Sequence, residues 1–92
     1  MPSFGELLKI SNQAGMDFLN IELDTAHTFL QLAATTNVEA TRVRNRANAR
    51  TAYDSILQHS PQVTWQPEDK VRFEERLAEL RGLLRKIDPD LQ

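Results

Sequence analysis

The stretch FLNIELDTAHTFLQLAATTN, residues 18–37, carries the pattern that decides the fold. At about 100° per residue, a helix through this stretch has one broad apolar face. That face is formed by Phe18, Leu19, Leu23, Ala26, Phe29, Leu30, Ala33 and Ala34. The stretch closes on Thr35, Thr36 and Asn37, residue types that favour caps and turns over helix interiors. The pattern therefore predicts a helix over residues 17–36.

Two further helices are predicted downstream. The second covers residues 38–59, and its apolar side is formed by Val38, Ala49, Ala52, Tyr53, Ile56 and Leu57. Ser60 and Pro61 end it, because proline cannot continue the hydrogen-bond ladder. The third covers residues 66–87, begins with Pro67 in its first turn, and has a 4-3-4-3 apolar stripe of Phe73, Leu77, Leu80, Leu84 and Ile87. Short loops between the three helices predict one all-α domain over residues 1–92, an up-down-up three-helix bundle.

The N-terminal segment leaves two alternatives. Ser3 and Glu6 have capping-box spacing, which predicts a short helix to Ile10 with a break at Gly15. The apolar phase also continues into the next helix, so one continuous helix over residues 3–36 is the competing interpretation. We favour two pieces.

Composition restricts the class of protein. The 92 residues are 40% apolar and 26% charged and include no cysteine, so disulfides and thiol chemistry are excluded. No apolar run approaches the length of about 18 residues that a membrane span needs, and the N-terminus is too polar for a signal peptide. We expect a cytoplasmic protein with no membrane contact.

No pattern indicates catalysis, a metal or a cofactor. His27 and His59 would be offset by about 16 Å in an antiparallel hairpin, too far apart to share a metal ion. No glycine-rich phosphate loop or nucleophile elbow is present, because Gly5, Gly15 and Gly82 stand far apart. We therefore expect no enzyme and no cofactor.

Basic charge is concentrated in RVRNRANAR, residues 42–50. Residues 38–58 carry four Arg against two acids, whereas residues 1–37 carry one Lys against four acids. On a helical wheel Arg42 and Arg46 lie within the apolar arc, Arg50 lies at its edge, and Arg44 points away. Because the four arginines do not share an outward face, we favour a structural role. Nucleic-acid binding through Arg42, Arg44, Arg46 and Arg50 is the alternative.

Glu22 lies in the middle of the first helix's apolar face. A buried carboxylate without a partner is costly, so a structural ion pair or hydrogen bond to Arg46, Arg50 or Tyr53 is predicted. The alternative is that Glu22 sits at the rim of the face and points to water.

Two features point to contacts with another protein. Four apolar residues lie off the main apolar stripes: Ile10, Ile21, Leu32 and Leu83. The chain therefore has more apolar surface than the core of a three-helix bundle would bury. We therefore expect self-association as a homo-oligomer, or binding of an unidentified protein partner. Trp65 is expected to fasten its loop onto the hairpin, with partner binding as the alternative; Arg44 is a second candidate for partner contact.

The segments ELDTAHTFLQLA (22–33) and RNRANARTAYDSIL (44–57) together resemble small bacterial helical-hairpin proteins of unassigned function. They are also distantly similar to tetratricopeptide-like and microtubule-interacting-and-trafficking-like hairpins. The similarity rests on Ala26 with Phe29 in one helix and on Ala49, Ala52 and Tyr53 in the next. It implies peptide or protein binding and assigns no site residues.

Overall fold

A computed structural model describes the backbone of residues 3–91 and the side chains of Ser3 and residues 11–91. Within these residues the chain forms α1 (Phe4–Thr35), α2 (Glu39–His59) and α3 (Pro67–Ile87), with a short 3-10 turn at Ser60–Gln62 and no strand. The predicted all-α three-helix bundle is confirmed. The second and third helices start within one residue of their predicted positions and end where they were predicted to end.

The predicted break at Gly15 is wrong, because α1 runs without interruption from Phe4 to Thr35. A glycine inside a helix costs only about 1 kcal/mol, which neighbouring contacts readily offset. Here the loop after α2 packs on this part of α1, and a Cβ at Gly15 would lie 3.0 Å from Cγ2 of Val63. The missing side chain of Gly15 therefore lets the loop pack closely on α1, and the helix continues through this residue. The capping box predicted for Ser3 and Glu6 depends on a Glu6 side chain outside the described residues.

The core lies where the apolar patterns predicted it. Each helix contributes side chains that are at most 9% exposed, and Leu91 folds back from the C-terminal tail to join them. The core residues are Leu19, Leu23, Ala26, Ala49, Ala52, Tyr53, Ile56, Phe73, Leu77, Leu80, Leu84 and Leu91. The predicted stripes fail at their ends, where Phe18, Ala34, Val38, Leu57 and Ile87 are exposed.

The molecule is elongated, because α1 is much longer than its neighbours. The radius of gyration is 15.5 Å and the principal extents are 53 × 24 × 18 Å, whereas a compact chain of this length would have a radius near 12 Å. At about 1.5 Å per residue, α1 is about 48 Å long and α2 only about 32 Å. The N-terminal turns of α1 therefore extend past the end of α2.

Three arginines of α3 fasten this helix and the C-terminal tail to the rest of the bundle. Arg76 donates to Oδ1 of Asn20 at 3.1 Å and to Oδ1 of Asp24 at 2.5 Å, both on α1. Arg81 donates from Nε to the hydroxyl oxygen of Tyr53 on α2 at 2.7 Å. Arg85 donates from Nε to the backbone carbonyl of Leu91 at 3.3 Å.

Among the described residues, no helix is both long enough and apolar enough to serve as a transmembrane segment.

Candidate interaction surface

Arg42, the first arginine of the basic segment, caps the C-terminus of α1. Its guanidinium donates to the carbonyl oxygens of Ala33 at 3.3 Å and Thr36 at 2.8 Å, and it pairs with Glu39 at 2.6 Å. The last carbonyls of a helix have no partners within the helix, and an arginine there also complements the helix dipole. The predicted inward orientation and structural role of Arg42 are confirmed.

The other three arginines of the basic segment differ in exposure and in their contacts. Arg50 bridges α2 to the end of α3 by pairing with Asp54 at 3.1 Å and with Asp88 at 3.4 Å. Arg46 is exposed, so the prediction that it turns inward is wrong. It lines a cavity of about 200 Å³ together with Leu84 of α3. Arg44 is exposed, as expected. Neither Arg44 nor Arg46 forms an ion pair with any residue that the structure describes.

The predicted pairing of Glu22 with Arg46, Arg50 or Tyr53 is wrong. Glu22 is half-buried and makes no ion pair or hydrogen bond with a described residue. Arg50 is held by two aspartates and the Tyr53 hydroxyl by Arg81. Arg46 and Arg50 border α3, whereas on the α1 wheel Glu22 falls on the side away from α3. The carboxylate therefore points to water at the rim, which was the alternative.

Trp65 is fastened to the bundle. Its ring stacks on Phe73 with centroids 4.5 Å apart and planes 19° from parallel, and it packs against the core while remaining half-buried. This stacking agrees with the expected role of Trp65 as a fastener of the loop before α3. A partner contact through Trp65 stays a prediction.

Asn12 holds the same loop from α1. Its side-chain amide donates to the carbonyl of Thr64 and accepts from the Thr64 amide, both at 2.7 Å. The loop and α1 enclose an open groove of about 670 Å³, and its described lining includes no Asp, Glu, Lys or Arg. His59 lies edge-on to Phe18 with ring centroids 5.3 Å apart.

α3 covers only one face of the α1–α2 hairpin. It contacts α1 through Asn20 and Asp24. A wheel of about 100° per residue places the midpoint of these two about 100° around α1 from the mean direction of Phe18, Ile21 and Leu32, with Ile21 and Asp24 at the border between the two sides. These three large apolar side chains are 40%, 61% and 49% exposed. They belong to a row with regular 4-3 spacing, here called the outer stripe: Ala14, Phe18, Ile21, Thr25, Thr28 and Leu32.

The same side of α2 is polar and lightly charged. The wheel places Arg44, Asn48, Thr51 and Ser55 on the side of α2 away from α3. These four residues and the outer stripe together form what we call the open face. All ten side chains are half-buried or exposed, so the open face is available to a partner.

Other kinds of site find little support among the described residues. No group of three or more His, Asp or Glu side chains there is arranged to hold a metal ion. Every fully buried side-chain nitrogen or oxygen there has a hydrogen-bond partner, so no orphaned polar group marks a ligand pocket.

Comparison of the chain with protein-family models, with curated proteins and with solved structures found no significant match. The resemblance to helical-hairpin proteins therefore stays a prediction.

Proposed function

We propose that the chain is a non-enzymatic protein–protein interaction module that self-associates in the cytoplasm. The observation that carries the proposal is the outer stripe, which brings Phe18, Ile21 and Leu32 to one exposed side of one helix. Single exposed apolar residues are normal on protein surfaces, whereas three large ones in an uncharged row along one side of a helix favour a binding surface.

The shape of the molecule also supports this proposal. The bundle is a thin body of 53 × 24 × 18 Å, and α1 has a long side that α3 leaves uncovered. A small domain with a limited core gains stability from any partner that covers such a side, because binding removes more apolar surface from water.

The test is the molar mass in solution, measured by sedimentation equilibrium from micromolar to millimolar protein. Self-association raises the average mass above 10.5 kDa as the concentration rises. A mass that stays at 10.5 kDa throughout would remove self-association from the proposal.

The second candidate function is nucleic-acid binding, which is favoured by the exposed Arg44 and Arg46 without ion-pair partners among the described residues. Two residues apart on a helix, these side chains point about 160° away from each other and do not form one basic surface. Arg42 and Arg50 are already engaged in contacts within the chain. A gel shift at about 50 mM salt tests this candidate, and several phosphate contacts would give a steep salt dependence.

A further inference from the structure

We infer that the open face binds the open face of a second copy of the chain, with α1 of each copy lying on α2 of the other. This inference rests on the proposed self-association and adds the surface, the symmetry and the orientation. A surface that pairs with itself about a twofold axis is the commonest arrangement in homodimers.

The spacing of the outer stripe indicates a helical partner. Its six residues recur at intervals of 4-3-4-3-4 from Ala14 to Leu32 and none is charged. Side chains repeating about every 3.5 residues form a seam that winds slowly around the helix, and a second, nearly parallel or antiparallel helix can pack along it. The seam is about 27 Å long, slightly shorter than α2.

Charge decides which helix lies on the seam. In the described part of α1, residues 11–35, there are three acids, Asp17, Glu22 and Asp24, and no Lys or Arg. Across α2, residues 39–59, there are four Arg against two acids. Most of these charges lie off the open face, because Asp24 pairs with Arg76 of α3. Arg42 and Arg50 are paired within the chain, and Arg46 borders α3. On the open side the contrast is Glu22 of α1 against Arg44 of α2. Placing α1 on α1 of the second copy would bring the two helices that carry Glu22 together, whereas placing α1 on α2 sets each of them against a helix that carries Arg44.

The unpaired charges of the open side fit this orientation. Glu22 on α1 and Arg44 on α2 have no ion-pair partner among the described residues, and both lie on the side of the hairpin away from α3. With α1 on α2, the helix carrying Glu22 lies against the helix carrying Arg44 of the other copy.

The area is sufficient for a dimer. The overlap of the two helices is limited to the length of α2, about 32 Å, and together they are about 20 Å wide, so each copy offers about 640 Å². The total of about 1,300 Å² falls within the range of specific protein–protein interfaces, near its lower end. A dissociation constant in the micromolar range or weaker is therefore expected.

The surface is tested by sedimentation equilibrium on Ile21→Glu, with Val71→Glu as the matched control. Ile21 is 61% exposed in the outer stripe, and Val71 is 56% exposed on α3, so neither change disturbs the core. Circular dichroism establishes that both variants keep their helices. We expect Ile21→Glu to raise the dissociation constant by at least about tenfold and Val71→Glu to leave it unchanged.

The orientation is tested with Arg44→Glu, using Arg72→Glu on α3 as the control for net charge. If α1 lies on α2, Arg44→Glu weakens association about tenfold, and more strongly at low salt, while Arg72→Glu has little effect. Unchanged or tighter association of Arg44→Glu overturns the orientation. If the wild type dimerises and Ile21→Glu dimerises equally well, the surface is wrong but self-association stands. A wild type that stays monomeric in the millimolar range contradicts both the inference and the proposed self-association.

Discussion

The side-chain amide of Asn12 makes two hydrogen bonds with the backbone of Thr64, each 2.7 Å long. Because the amide bonds to both the N–H and the C=O of Thr64, it holds the loop before α3 against α1, which lies more than fifty residues earlier in the chain. Together with the stacking of Trp65 on Phe73, this clamp fixes the path of the chain into α3.

The clamp predicts a loss of stability in Asn12→Ala. Two hydrogen bonds to the backbone are removed, and Thr64 is left to solvent, so we expect the free energy of unfolding to fall by about 1–2 kcal/mol. Urea denaturation measures this change. Gln13→Ala is the control, because Gln13 is exposed and bonds only to Asp17 in its own helix. Equal effects of the two substitutions would contradict the clamp.

We expect Arg42 to contribute more to the stability of the monomer than Arg44 does, because Arg42 caps the C-terminus of α1. Arg42→Ala leaves the carbonyls of Ala33 and Thr36 without their donor, which should cost about 1–2 kcal/mol of unfolding free energy. Arg44→Ala, at an exposed position, should change the stability of the monomer by less than about 0.5 kcal/mol. Urea titrations of dilute protein distinguish the two, and similar losses would show that Arg42 is not a cap.

Tyr53→Phe separates the hydrogen bond to Arg81 from the packing of the ring. The ring is 1% exposed and stays in the core, while the 2.7 Å bond from Arg81 is lost. We expect a loss of about 1 kcal/mol in thermal or urea unfolding, because Arg81 is half-buried and still reaches water. A variant as stable as the wild type would show that the bond contributes nothing to holding α3.

Gly82 and Gly15 should respond differently to alanine. A Cβ at Gly82 would have no neighbouring atom within 4 Å, so Gly82→Ala should stabilise α3 by about 0.5–1 kcal/mol through helix propensity and a less flexible unfolded chain. At Gly15 the new Cβ would lie 3.0 Å from Val63 and force the loop to move. A smaller gain, or a loss, is expected there. Equal gains at both positions would contradict the close approach of the loop.

The helices were predictable because their signals are local. Apolar spacing placed Leu19, Leu23 and Ala26 in the core, and Pro67 marked the start of α3 to within one residue. The prediction at Gly15 was wrong because a glycine is needed there to let Val63 approach α1, and Val63 is distant in sequence. Sequence alone does not say which side of a hairpin a third helix will cover.

That missing information also explains the error at Glu22. Its predicted partners Arg46 and Arg50 lie beside α3, on the other side of the hairpin. The contacts of Arg76 and Arg81 were equally hidden, because their acceptors lie on other helices. The sequence placed Arg42 toward the hairpin only by its position in the apolar arc. Its capping role could have been recognised from its closeness to the α1–α2 turn, where the last carbonyls of α1 have no partner within the helix.

The central claim is that two copies of the chain meet through the open face. The most direct measurement is a dilution series of ¹⁵N-labelled protein by nuclear magnetic resonance, which needs no substitution. We predict that concentration-dependent amide shifts cluster at the outer stripe, around Ile21 and Thr25, and at Arg44 and Asn48 of α2, while amides around Val71 and Glu75 on α3 stay constant. Spectra that do not change with concentration, or shifts that cluster on the outer side of α3, would contradict the claim.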